Sequence, residues 1–99
     1  MSTTYQILYW RDIPAQVRLR SEKGRYSQPL SLRFQKAIDA AAMRAGVTGT
    51  DQYLQEWRSS DWLPKEGDPE IIAASLAAEL ETSYSPERLK ALLGNNGFE

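Results

Sequence analysis

The chain has no cysteine and no histidine. Lacking cysteine, it has no disulfide, no thiolate nucleophile and no sulfur ligand for a metal. Lacking histidine, it is without the side chain that titrates nearest neutral pH and the commonest metal ligand. Zinc centres draw on one or both in nearly every case, so no zinc, and no other cofactor, is expected. A carboxylate site for magnesium stays open, but no acidic cluster marks one. Long apolar runs are missing too, which predicts no membrane-spanning helix. The opening Met1-Ser-Thr-Thr is neither basic nor apolar, unlike a secretory leader, so a cytoplasmic protein is expected. The glycines fall singly or in turn-like contexts, and no phosphate-binding loop pattern occurs.

What is present fits one soluble domain. With 99 residues, 41% of them hydrophobic, the chain can bury a real core but not a large one. The net charge of -1 hides an uneven split. Residues 1–50 hold eight bases against three acids, and residues 51–99 hold four bases against ten acids. Either the first half meets an anionic partner, or the halves pack together and neutralise each other. The second is the simpler reading in so short a chain.

Tyr5 to Trp10 is aromatic and branched, and reads as a strand. Tyr5, Ile7 and Tyr9 share one face; Gln6, Leu8 and Trp10 share the other. Both faces are largely apolar, as in a central strand. Pro14 is expected to end that ladder. Arg11 and Asp12 stand at the strand's exit, where functional loops often begin. Ala15, Val17 and Leu19 alternate with Gln16, Arg18 and Arg20, which predicts a strand pairing back on the first. Gly24 permits a turn, and Tyr26 to Gln28 a short third strand closed by Pro29. Lys23 and Arg25 would then crown a hairpin tip beside Arg18 and Arg20.

Ser31 is placed to cap a helix reaching Ala45, with Gly46 as its stop. Phe34, Ile38, Ala41 and Ala45 form its apolar stripe. Residues 53 to 58 are ambiguous: Tyr53 and Trp57 share a face as strand or as helix, and Thr50 or Asp51 could cap a helical turn. A strand at about 53 to 58 is the reading taken, because aromatics cluster up to Trp62. Asp68-Pro69-Glu70 starts a helix through about Ser83, with Glu79 and Glu81 facing away. Ser85-Pro86-Glu87 starts a short last one, ended by Gly94. The expected fold is α+β: a two-layer sandwich with a small, mostly antiparallel sheet of three or four strands, Tyr5–Trp10 in its middle. Two main helices cover one face. Residues 1–99 form a single domain, ordered over about 4–93, with 95–99 frayed.

The runs Tyr9-Trp-Arg-Asp-Ile-Pro-Ala-Gln-Val17, Arg33-Phe-Gln-Lys-Ala-Ile-Asp-Ala-Ala-Ala-Met43 and Tyr53-Leu-Gln-Glu-Trp57 carry a resemblance. They look like the small bacterial domain family named "virulence factor", over about residues 5 to 84. A related domain forms part of conserved virulence factor C, joined to an iron–sulfur-scaffold-like segment and helical repeats. The family name describes a phenotype and implies no reaction. The habit of fusion implies an accessory role, and free-standing relatives lean towards one-carbon or corrinoid methyl-transfer systems.

Three readings of function follow. The first is a protein-interaction or accessory module, since tryptophan and arginine are frequent interface anchors. Its candidate residues are Trp10, Arg11, Asp12, Trp57 and Trp62, with Trp10 and Trp57 evenly balanced between core and surface. The second is an anion- or nucleic-acid-binding domain using Arg18, Arg20, Lys23 and Arg25; the acidic pI of about 5.5 weighs against nucleic acid. The third is a small enzyme with Asp12 as carboxylate base beside Arg11 and Tyr9. The expected partner is another protein, and the oligomeric state is left open.

Overall fold

The computed structural model describes residues 2–99. Five strands and four helices follow in the order β1 (Ser2–Trp10), β2 (Ile13–Ser21), β3 (Gly24–Pro29), α1 (Leu32–Ala45), α2 (Asp51–Gln55), β4 (Trp57–Ser59), β5 (Leu63–Glu66), α3 (Pro69–Ser83) and α4 (Pro86–Gly94). This is an α+β fold on one antiparallel sheet, with one strand more than the sequence suggested. The strand order is β3-β2-β1-β4, and β5 also pairs with β1. The aromatic strand therefore lies in the interior, as its two apolar faces demanded. β4 takes the outer edge of its last three residues and β5 that of its first four.

Pro14 does not end the sheet. It lies inside β2, opposite Tyr9, where the β1–β2 register slips by one residue. A proline is tolerated at such a bulge because the ladder is already interrupted. The slip has a second effect. It brings Trp10 opposite Ile13 and closes the strands through the two-residue turn Arg11–Asp12, with Arg11 at φ 53°.

Residues 53 to 58 are not one strand. Asp51–Gln55 is a short helix, and only Trp57–Ser59 pairs with β1. The Thr50 side chain accepts the Tyr53 N–H at its start. At its middle the Tyr53 carbonyl accepts the Trp10 indole N–H at 3.0 Å. A tertiary hydrogen bond thus settles what local pattern left open.

Two apolar clusters fill the interior. Val17 and Leu19 of β2 pack on Ile72, Ala73 and Leu76 of α3, with Tyr5 at the margin. Trp10 and Ile13 pack on Phe34, Ile38 and Ala41 of α1, and on Leu89 and Leu92 of α4. Leu80 borders both. Helix α3 lies along β2 and β3, whereas α1 meets the sheet at β2 and packs chiefly against α4. The molecule is accordingly long, 44 × 28 × 19 Å.

Ser31 does occupy the position before α1, but its side chain makes no capping bond to the helix. Glu81 supplies the cap from α3. Its carboxylate accepts the Ser31 N–H at 2.7 Å and the Ser31 hydroxyl at 2.8 Å, and it also receives Arg33. Glu81 therefore does not face away into solvent. Burial works against its charge, yet the Ser31 and Arg33 donors outweigh burial and hold its carboxyl below the ordinary value.

Candidate functional site

Residues singled out from the sequence fall into two separate groups. One is the Trp10–Asp12 turn. Trp10 is fully buried, so its ring is a core element and is not available to dock a partner. Arg11 is buried as well, at 6% exposure. Its guanidinium lies 4.9 Å from the Trp10 ring and 4.4 Å from the Phe98 ring. Nη1 donates to the Asn96 carbonyl at 2.8 Å and Nη2 to Glu56 at 3.2 Å, while Nε has no partner. The Asp12 N–H donates to the Gly97 carbonyl, and its carboxylate accepts the Glu99 N–H and one Nη of Arg58. Asn96, Gly97 and Glu99 of the tail are thus bonded to the turn. Gly97 is what allows it: φ is +91°, and a Cβ there would come within 2.9 Å of the Trp10 ring.

Beside the clamp is a polar cleft of about 360 Å³ lined by Tyr9, Asp12, Arg58, Ser60, Tyr84 and Arg88, with Glu99 at its rim. The Arg58 and Arg88 guanidinium groups lie over the Tyr9 and Tyr84 rings, at 4.6 and 4.0 Å. Each also pairs with an acid, Asp12 and Glu99 respectively. Burial pushes both tyrosine hydroxyls above their ordinary value despite the nearby arginines, so they remain protonated donors at neutral pH. Charge in this cleft is balanced within the chain.

The second group is the sheet face opposite α3. The β2–β3 register puts Arg20 opposite Arg25, Arg18 opposite Ser27 and Gln16 opposite Pro29, all with side chains on that face. Gln6 and Thr4 extend it across β1. Trp62 closes one side, half-buried, with the Arg20 guanidinium 4.3 Å from its ring. Gln6 pins the Trp62 loop: its Nε2 donates to the Ser60 carbonyl at 3.1 Å, and its Oε1 faces Arg18 Nη1 at 3.4 Å. Between these residues lies a shallow depression of about 460 Å³ lined by Gln6, Arg18, Arg25, Ser27 and Trp62 among others. Among the described residues, none of Arg18, Arg20 and Arg25 forms an ion pair. Two like charges directly opposite on one face repel. Here no ion pair among the described residues offsets it, although Asp68 and Glu70 line a depression that Arg25 shares.

The remaining candidates lie at the borders of this face. Lys23 sits in the hairpin turn, beside Asp68 and Glu70 of the α3 start. Trp57 is half-buried on the Trp10 cluster and lines another depression with Leu8 and Leu30. The sequence reading missed Gln6, Ser27 and the tail residues Gly97 and Phe98. Period-two alternation in β2 already put Arg18 and Arg20 together; placing Gln6 and Ser27 beside them required the register.

Among the described residues no group of three or more acids could hold a metal ion, and no helix is long and apolar enough to cross a membrane. No curated protein and no solved structure matches the chain. A family model described as "Virulence factor" does match, over residues 8–93. That span takes in the Arg11–Asp12 turn, the basic strand β2, helices α1 to α3 and all but the last residue of α4, and the chain belongs to this virulence factor domain family.

Proposed function

We propose that this chain is a protein-docking accessory module that uses the sheet face away from α3, with Arg18, Arg20, Arg25, Gln6 and Trp62, to hold an acidic surface of another protein. One observation carries the reading: Arg20 stands opposite Arg25 without a carboxylate counter-ion. Folding does not neutralise this patch, although the second half of the chain is rich in acids. Three of those acids pair elsewhere: Glu56 with Arg11, Glu81 with Arg33 and Glu99 with Arg88. An incoming carboxylate relieves the repulsion and gains charge-assisted hydrogen bonds. The setting is a cytoplasmic enzyme system, and the resemblance makes one-carbon or corrinoid methyl transfer the first to examine.

The other readings have less support. For a nucleic-acid face, Arg20 already covers the Trp62 ring, and the acidic pI of about 5.5 weighs against it. An acid/base site at Asp12 needs a carboxylate ready to take a proton and an arginine beside it. Asp12 is committed to Arg58 and to the tail, while Arg11 is turned inward.

Affinity capture from extract with the wild-type chain and with Arg20→Glu/Arg25→Glu tests the proposal. A partner lost from the variant, and lost from wild type at high salt, is the expected result. Identical captured sets overturn it.

A further inference from the structure

The docking reading leaves open how a partner segment lies on the face. Resting on that reading, we infer that the partner presents an extended acidic segment which adds as a further strand along β3.

β3 is the free end of the strand order. Which of its main-chain groups point outward follows from the register. Ser21 pairs with Gly24 across the two-residue loop Glu22–Lys23. Such a closing pair exchanges both hydrogen bonds, and bonded and non-bonded pairs then alternate along the ladder. The Leu30 N–H donating to the Ala15 carbonyl at 3.0 Å fits the same alternation. Arg25 and Ser27 therefore stand at non-bonded positions towards β2, with their N–H and C=O groups directed away from the sheet. Both residues are exposed. Pro29 occupies the next outward position and has no N–H to offer, and its carbonyl already accepts from Gln28 Nε2 at 3.3 Å. The usable edge is thus Arg25 to Ser27, with two donors and two acceptors.

Charge decides the occupant. Partner residues opposite Arg25 and Ser27 turn their side chains onto the same face as Arg18, Arg20 and Arg25. An acid opposite Arg25 meets that guanidinium directly. An acid opposite Ser27 reaches across its short side chain towards Arg18, one strand further in at about 4.8 Å spacing. A second copy of this chain does not fit, because antiparallel pairing of two β3 edges would place Arg18, Arg20 and Arg25 of both copies on one continuous face. Exposed edges are often blunted by a charge and a proline; here the charge is one that an acidic strand complements, and the proline limits the length of pairing.

The test is a titration of the isotopically labelled full chain with a blocked peptide of alternating glutamate and threonine, read by amide shifts and hydrogen exchange. Its control has the same composition with the glutamates contiguous. Strand addition predicts roughly tenfold slower exchange at the Arg25 and Ser27 amides, and weaker binding by the control. It also predicts that Ser27→Pro weakens binding about tenfold, because it removes an outward donor without touching the β2 ladder. Pro29 already sits at such a position in this strand. Unchanged exchange at Arg25 and Ser27 overturns the inference, and needs no variant to fold. So does equal binding by Ser27→Pro or by the control. If Arg18→Ala still weakens binding in those cases, the open-face reading survives. If no acidic peptide binds, or a single-stranded oligonucleotide binds instead, both fall.

Discussion

Arg20 and Arg25 face each other across the β2–β3 hairpin on the side of the sheet away from α3. A like-charge pair of this kind is destabilising. Arg25→Glu should replace repulsion by attraction and stabilise the free chain by about 0.5 kcal/mol. It should also abolish acidic-partner binding. Urea denaturation beside a binding titration reads both effects. A stability loss in this variant would contradict the account of the pair.

The buried tryptophan gives a second expectation. Trp10→Ala removes a fully enclosed ring and the donor to Tyr53, and should cost about 3–5 kcal/mol. Trp62→Ala, at the margin of the open face, should leave stability within about 1 kcal/mol and weaken partner capture. Thermal melts of the two variants separate core from surface.

Gly97→Ala forces a Cβ against Trp10 and strains a left-handed residue. A cost of about 1–3 kcal/mol is expected. The Asp12 amide, which donates to the Gly97 carbonyl, should then lose protection against hydrogen exchange. Protection retained at Asp12 would show that the tail is held by something other than this turn.

Arg11→Ala breaks the same clamp from the other side. It leaves the Asn96 carbonyl and Glu56 without their donor, for a loss of about 2–4 kcal/mol. Arg11→Lys should recover little, since one ammonium cannot serve two separate acceptors while lying between two rings.

The Glu81 cap carries a pH dependence. Its folded carboxyl titrates below the ordinary glutamate value of 4.5. Its stabilisation is therefore complete above that value and is lost as pH falls through the lower folded one. Glu81→Gln should cost about 1–2 kcal/mol at neutral pH and flatten that part of the acid limb. Denaturation midpoints of both chains between neutrality and low pH provide the check.

The sheet's centre, both long helices and the basic alternation of β2 were legible because each rests on local periodicity. Three features were not, for one shared reason. The slip opposite Tyr9, the helix at Asp51–Gln55 and the clamp on residues 95–99 depend on contacts between residues far apart in sequence. Trp10 shows the consequence. Read by alternation alone, its ring could face a partner as readily as the core; the turn at Arg11–Asp12 and the acceptor at Tyr53 turn it inward. Gly97 carried a faint signal, since a glycine after Asn95-Asn96 suits a tight turn. Nothing in the sequence named Trp10 as its neighbour.

Leu80 touches both apolar clusters, and the Arg33–Glu81 bridge lies one residue further along the same helix. The basic hairpin and the tryptophan-centred end are thus joined by this turn of α3 as well as by β1 and β2. Shaving that leucine would leave each half packed yet weaken their cooperativity, and fluorescence from Trp10 and exchange at β3 would cease to report one transition. A partner seated on the hairpin would then steady its own half while the far end opened independently.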